Sequence, residues 1–171
     1  GDHVAVLLPN SLPMVVTVFA LARLGAVMVP LNSRLTAAEV AWQAARADCA
    51  RLICALSTEK QAADVPASLP RLILPTDMAS FETWVMQQLR ADTPSATRHW
   101  PPATFDQPQA IVFTSGTTGY AKGATITFAN HFWSAVGSAF RLGVVPGDRW
   151  LACLPLYHVG GLAVLFRSCL Y

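Results

Sequence analysis

The sequence predicts an α/β fold in which parallel sheet layers are covered by helices. Short, continuous apolar runs alternate with longer stretches of helical character, beginning with Val4-Ala5-Val6-Leu7-Leu8 and the segment 12–24 that follows it. Strands apolar on both faces must be covered on both faces, and helical crossovers supply that cover in a parallel sheet. Charged residues make up 13% of the 171-residue chain and hydrophobic ones 53%, against a usual charged fraction of about 25%. That balance suits the interior of a larger α/β enzyme.

Residues 4–8 read as a buried strand. Ser11 then caps a helix that runs to Leu24, and Gly25 closes it. Residues 26–29 form a second strand ahead of Pro30. Thr36 and Glu39 have the spacing of a capping box, so a helix continues through Val40 to Arg46 with its first amides paired. Segments 51–56 and 71–74 continue the strands, and 81–89 is a helix. Residues 91–109 break the rhythm with Pro94, Pro101, Pro102 and Pro108 among Ser, Thr and Asp, as an irregular connection does. Strands follow at 110–114 and 124–127, then a helix over 130–142 ended by Gly143, a strand at 150–154 and a last helix containing Arg167. The tryptophans 42, 84, 100, 133 and 150 are expected to pack in the core or under loops.

A net charge of +2 without a run of Lys or Arg argues against a nucleic-acid partner. Cys49, Cys54, Cys153 and Cys169 form no C-x-x-C pair, and with His3, His99, His131 and His158 they show no metal-ligand spacing. Reduced, mostly buried thiols in a cytoplasmic protein are expected. Residues 12–30 are the most apolar stretch, but Pro13, Thr17, Arg23 and Gly25 interrupt it short of the ~18 apolar residues of a transmembrane segment. The chain opens at the edge of a strand and stops at Tyr171 inside an apolar run, so it is expected to be part of something longer. Uncovered apolar faces and an unpaired edge on such a piece predict poor solubility or self-association, a homo-oligomer being one form of it.

The most informative stretch is Thr114-Ser115-Gly116-Thr117-Thr118-Gly119-Tyr120-Ala121-Lys122-Gly123, directly after the apolar run Ala110-Ile111-Val112-Phe113. Glycines let backbone N–H groups turn toward an anion, hydroxyls add donors, and Lys122 supplies a point charge. The combination suits a polyphosphate. No Ser or Thr follows Lys122 to hold magnesium, so this is not a Walker loop. A Gly/Thr-rich surface turn is the plain alternative for the glycines alone.

This stretch resembles the phosphate loop of the adenylate-forming superfamily, the acyl-CoA ligases, adenylation domains and luciferases, written S/T-S-G-S/T-T-G-x-P-K-G. Ala121 stands where proline is usual. Pro30-Leu31-Asn32-Ser33-Arg34-Leu35 with Glu39 is similar to the P-L-N-x-R-L segment of acyl-CoA ligases, and Pro155-x-x-His158-x-x-Gly161 to their P-x-x-H-x-x-G segment. The resemblance implies a partial N-terminal AMP-binding domain over residues 1–171, with the C-terminal domain absent. It implies that Thr114, Ser115, Gly116, Thr117, Thr118, Gly119 and Lys122 bind the phosphates of ATP. It also places His158 between an acyl pocket and a thiol channel, although a loop histidine satisfied by backbone remains the simpler reading of the residue alone.

The region after the loop, Asn130-His131-Phe132-Trp133-Ser134-Ala135 through Asp148, Trp150 and residues 162–171, is most similar to the o-succinylbenzoate–CoA ligases of menaquinone biosynthesis. That likeness implies a two-step reaction in which an aromatic dicarboxylate is activated by ATP with Mg2+ and passed to coenzyme A. His158, Gly160, Gly161, Arg167 and His131 would then bind the acyl substrate; Gly160 stands where those ligases often carry serine. Arg167 interrupts an apolar run, where a cation is costly unless paired, and a second carboxylate would pair it. A helix-end arginine reaching solvent, and for His131 a capping pair with Asn130, are the competing readings. Another acyl- or aryl-CoA ligase and a non-catalytic nucleotide-binding remnant both stay open.

Overall fold

A computed structural model describes residues 1–91, 102–114, 121–145 and 147–170. The elements run β1 (His3–Leu7), α1 (Leu12–Leu24), β2 (Val27–Pro30), α2 (Ala37–Arg46), β3 (Cys49–Ala55), β4 (Arg71–Leu74), α3 (Met78–Ala91), β5 (Pro108–Thr114), β6 (Lys122–Thr127), α4 (Phe128–Leu142) and α5 (Val159–Leu170), with a 3-10 turn at Leu56–Thr58.

Local chemistry sets the helix ends. The Ser11 hydroxyl accepts from the Met14 amide, and Gly25 closes α1 at φ 67°, a left-handed conformation that glycine adopts without a steric penalty. The α2 capping box is present, with Thr36 accepting from Glu39 N–H while the Glu39 carboxylate accepts from Thr36 N–H. A second box opens α4: Thr127 Oγ1 accepts from Asn130 N–H, and Asn130 Oδ1 accepts from Thr127 N–H. The helix therefore begins at Phe128, with Asn130 already inside its first turn rather than at its start.

The strands form one six-stranded sheet in the order β4-β3-β1-β2-β5-β6. Pairs among β1 to β5 are parallel, as expected, but β6 runs antiparallel to β5. The reason is loop length. A parallel crossover needs about a dozen residues or more, and the β5–β6 connection is far shorter, so the chain can only turn back. Alternation along β1 sorts the core. Val4, Val6 and Leu8 join Met14, Val18, Phe81, Leu162 and Phe166 on the face under α1, α3 and α5. Ala5 and Leu7 join Val29, Val40 and Ala44 on the face under α2.

The strand expected at 150–154 does not form; the segment is irregular and largely exposed. A strand requires a neighbour for its ladder, and the order of the sheet shows that this segment takes neither open edge. Its backbone is instead held by one side chain, Asn10, whose Nδ2 donates to Leu154 O (2.9 Å) and whose Oδ1 accepts from Leu156 N–H (2.8 Å). Two further expectations need correction. Trp133 is 65% exposed on α4 rather than packed, Trp42 and Trp150 are also exposed although each meets a neighbour, Phe113 and Arg167, and Trp100 lies outside the described residues. Among the four free cysteines only Cys54 is buried; Cys49 is half-buried, and Cys153 and Cys169 are exposed.

Candidate functional site

The glycine-rich loop leaves the C-terminal end of β5, beside the parallel strand β2, and ligands of open α/β sheets bind outside that end of the strands. Its two feet are tied together. Phe113 pairs with Gly123 and Thr114 with Lys122, and Thr114 Oγ1 donates to Lys122 O at 3.4 Å. A Cβ at Gly123 would lie 2.8 Å from Ile111 Cγ2, so any larger residue there would have to displace the Ile111 side chain. Ser115, Gly116, Thr117, Thr118 and Gly119 lie outside the described residues. The segment after β2 comes to the same end of the sheet: Leu31 is fully buried and donates its N–H to Val6 O, while Asn32 Oδ1 accepts from Arg34 N–H.

The P-x-x-H-x-x-G spacing has a backbone cause. Pro155 O accepts from His158 N–H at 3.1 Å, and His158 O accepts from Gly161 N–H and Leu162 N–H, both at 3.1 Å, so the turn runs directly into α5. Gly161 lies against the Pro155 carbonyl; a Cβ would contact its oxygen and come within 2.7 Å of its carbon. No other residue fits there. Gly160 is less confined, since a Cβ would meet only the Leu154 Cδ1 methyl at 3.2 Å. His158 is exposed at the head of α5, its ring tilted against Tyr157 at a centroid distance of 4.7 Å.

His131 points inward from α4 and is 4% exposed. Its ring stacks on Phe166 of α5, centroids 3.8 Å apart and planes 13° from parallel, and its Nε2 meets Gln109 Oε1 of β5 at 3.0 Å. Asn130 is engaged with Thr127, so the capping pair of Asn130 with His131 is replaced by a buried imidazole that joins β5 to α5. Burial lowers its pKa to about 4, which keeps the ring neutral. One position beyond Phe166, the Arg167 guanidinium lies over the Trp150 ring at 5.6 Å, and its buried Nε has no hydrogen-bond partner among the described residues. His158 and Arg167 are about 13 Å apart along the axis of α5, so they mark two ends of one helix rather than one cluster.

Two residues the sequence did not single out belong to this frame. Gln109 is fully buried, and its Nε2 has no partner among the described residues while its Oε1 holds His131. A glutamine inside an apolar strand was the available signal. Asn10 has none, because its partners lie 144 and 146 residues away. The sheet cysteines are poor nucleophiles: burial, assisted by Asp48, pushes Cys49 up to about 11, and burial also raises Cys54. Among the described residues no three His, Cys, Asp or Glu side chains are grouped to hold a metal ion. No helix among them is long and apolar enough to cross a membrane.

The chain is similar to a 2-succinylbenzoate–CoA ligase of Bacillus cereus, 36% identical over 174 residues that cover all of this chain and 32% of that protein. Its fold is similar to the o-succinylbenzoate coenzyme A synthetase of Bacillus subtilis solved in complex with ATP and magnesium ion, with a TM-score of 0.80, 32% identity, and coverage of 100% of this chain and 42% of that one. A fatty acyl CoA synthetase of Mycobacterium tuberculosis shares the fold at TM-score 0.78 and 28% identity, over 99% of this chain and 33% of that one. The chain thus spans about a third of the length of the curated relatives it matches. The AMP-binding enzyme family matches residues 1–171, and with the glycine-rich motif in the sequence and the P-x-x-H-x-x-G turn and the sheet in the structure, the chain belongs to that family.

Proposed function

We propose that the chain is the N-terminal, nucleotide-binding part of an AMP-forming acid–thiol ligase that activates o-succinylbenzoate. One carboxylate of the substrate attacks the α-phosphate of ATP, pyrophosphate leaves, and the thiol of coenzyme A then displaces AMP from the acyl-adenylate. In this reading Thr114, Lys122 and the intervening loop steady the β- and γ-phosphates, where preorganised donors offset charge that shifts during the reaction. His158 stands at the mouth shared by the acyl and thiol groups. Magnesium would arrive with the triphosphate. The names of the Bacillus relatives support the choice of o-succinylbenzoate; a cytoplasmic location and a place in menaquinone biosynthesis belong to the same reading as its further consequences.

Arg167 carries the choice of a dicarboxylate. Its buried Nε has no hydrogen-bond partner among the described residues, the α5 residues 162–166 before it are apolar, and a guanidinium with a buried, unpaired nitrogen gains from an anion beside it. The unreacted carboxylate of the substrate is an anion of the right geometry. In the full-length polypeptide that carries this sequence, Arg167→Ala should lower kcat/KM for o-succinylbenzoate by about tenfold or more while barely changing turnover of a matched monocarboxylate. Arg167→Lys should recover only part, since an ammonium cannot make the bidentate fork. Equal losses on both acids would return Arg167 to a packing role and favour a simple acyl- or aryl-CoA ligase.

A further inference from the structure

Asn10 sits between the end of β1 and the cap of α1, in a position fixed from both sides. Leu7 and Leu8 before it are buried in the core, and Ser11 after it accepts from Met14 N–H while donating to Pro9 O. From that platform its amide makes two contacts to the far end of the chain, Nδ2 to Leu154 O and Oδ1 from Leu156 N–H. These two groups flank Pro155, the residue whose own carbonyl accepts from His158 N–H and backs against Gly161. An asparagine amide used in this way substitutes for the neighbouring strand that 150–154 lacks, presenting one donor and one acceptor at ladder spacing.

We infer that Asn10 is a positioning residue for His158: it fixes the backbone on either side of Pro155, and the Pro155 carbonyl in turn sets where the His158 turn and the first residues of α5 begin. The inference rests on the reading of His158 as the residue beside the acyl and thiol groups. Asn10 touches no reacting atom and acts through the turn alone. Asn10 is exposed, and hydrogen bonds competing with water add little to stability. What the two bonds restrict is the location of an otherwise irregular segment, and a catalytic group displaced by about 1 Å can lose about a hundredfold in rate. Loss of Asn10 should therefore be felt in chemistry at His158 far more than in folding.

The test uses the full-length polypeptide carrying this sequence, with Asn10→Ala, Asn10→Asp, His158→Ala and the Asn10→Ala/His158→Ala pair. Amide hydrogen exchange reads the clamp without reference to activity. In Asn10→Ala the amides of Leu156, His158 and Gly161 should exchange about tenfold faster or more, with β1 and α1 unchanged. Asn10→Asp retains the acceptor for Leu156 N–H but sets a carboxylate against Leu154 O, so it should fall between the two. Transfer of the acyl group to the thiol should slow about tenfold in Asn10→Ala with the KM for ATP unchanged, and that loss should vanish in the His158→Ala background. Unaltered exchange at Leu156, His158 and Gly161, or losses that add in the double variant, would overturn the inference. A wild-type polypeptide unable to activate any acyl acid would sink the reading of the site instead, and the exchange experiment would still decide the clamp.

Discussion

His131 shows how one side chain can be both structural and pH-sensitive. The imidazole is stacked on Phe166 and donates its Nε2–H to Gln109 Oε1, and burial, which disfavours a second proton, holds its pKa at about 4 against an ordinary 6.5. The unfolded chain therefore takes up a proton between those values while the folded one does not. Folded stability contributed by the neutral ring is complete above pH 6.5 and is lost progressively as the pH falls toward 4. The thermal midpoint should decline across that window, and His131→Gln should decline less steeply, even if it starts lower. A His131→Gln profile parallel to that of the wild type would show that other groups, the carboxylates, set the slope. Gln109 adds an asymmetry, because the oxygen that holds the ring is satisfied and the Nε2 beside it has no partner among the described residues. An unpaired buried donor costs about 1–3 kcal/mol, so this pair is not explained by stability alone.

At the scale of elements, what could be read from the sequence was local. Ser11, Gly25, Thr36 and Glu39 act on amides within a few residues of themselves, and α1 and α2 lie where those caps place them. The start of α4 was missed by two residues because the working cap is Thr127, with Asn130 serving as its reciprocal partner. The false strand at 150–154 and the overlooked Asn10 are the same error: an apolar run becomes a strand only if a neighbour accepts it, and that neighbour is 144 residues away. The site divides in the same way. The motif residues were visible as spacings, whereas the burial of His131 and the support of Gln109 arise only when α4, α5 and β5 meet. The tight turn into α5 yields a direct comparison of two adjacent glycines. Gly161→Ala must push the Pro155 backbone aside and should lower the thermal midpoint by several degrees, whereas Gly160→Ser displaces only the Leu154 methyl and should cost about 1 kcal/mol or less. Comparable losses by differential scanning calorimetry would mean that Pro155 yields easily and that the Gly161 position is not the constraint.

The whole molecule has a well-covered centre and open flanks. β1 and β2 are buried along most of their length, but among the described residues β4 and β6 have no strand on their outer edges, and Trp133, Phe140, Leu142, Val145, Leu151 and Leu154 are exposed along α4 and the segment after it. Edges and apolar surface of this kind associate. Expressed alone, the 171 residues should form oligomers or remain sparingly soluble, as light scattering would report; a monodisperse monomer with a single cooperative melt would show that the unit is autonomous. Asn10 gives this architecture a timetable as well. Translation delivers residues at about 5–20 per second, so Asn10 waits on the order of ten seconds for Leu154 to leave the ribosome. The βαβ units around β1 can assemble during that interval, since their partners are near in sequence. The turn carrying His158 cannot, and a nascent chain stalled before residue 154 would present a finished sheet without the clamp closed.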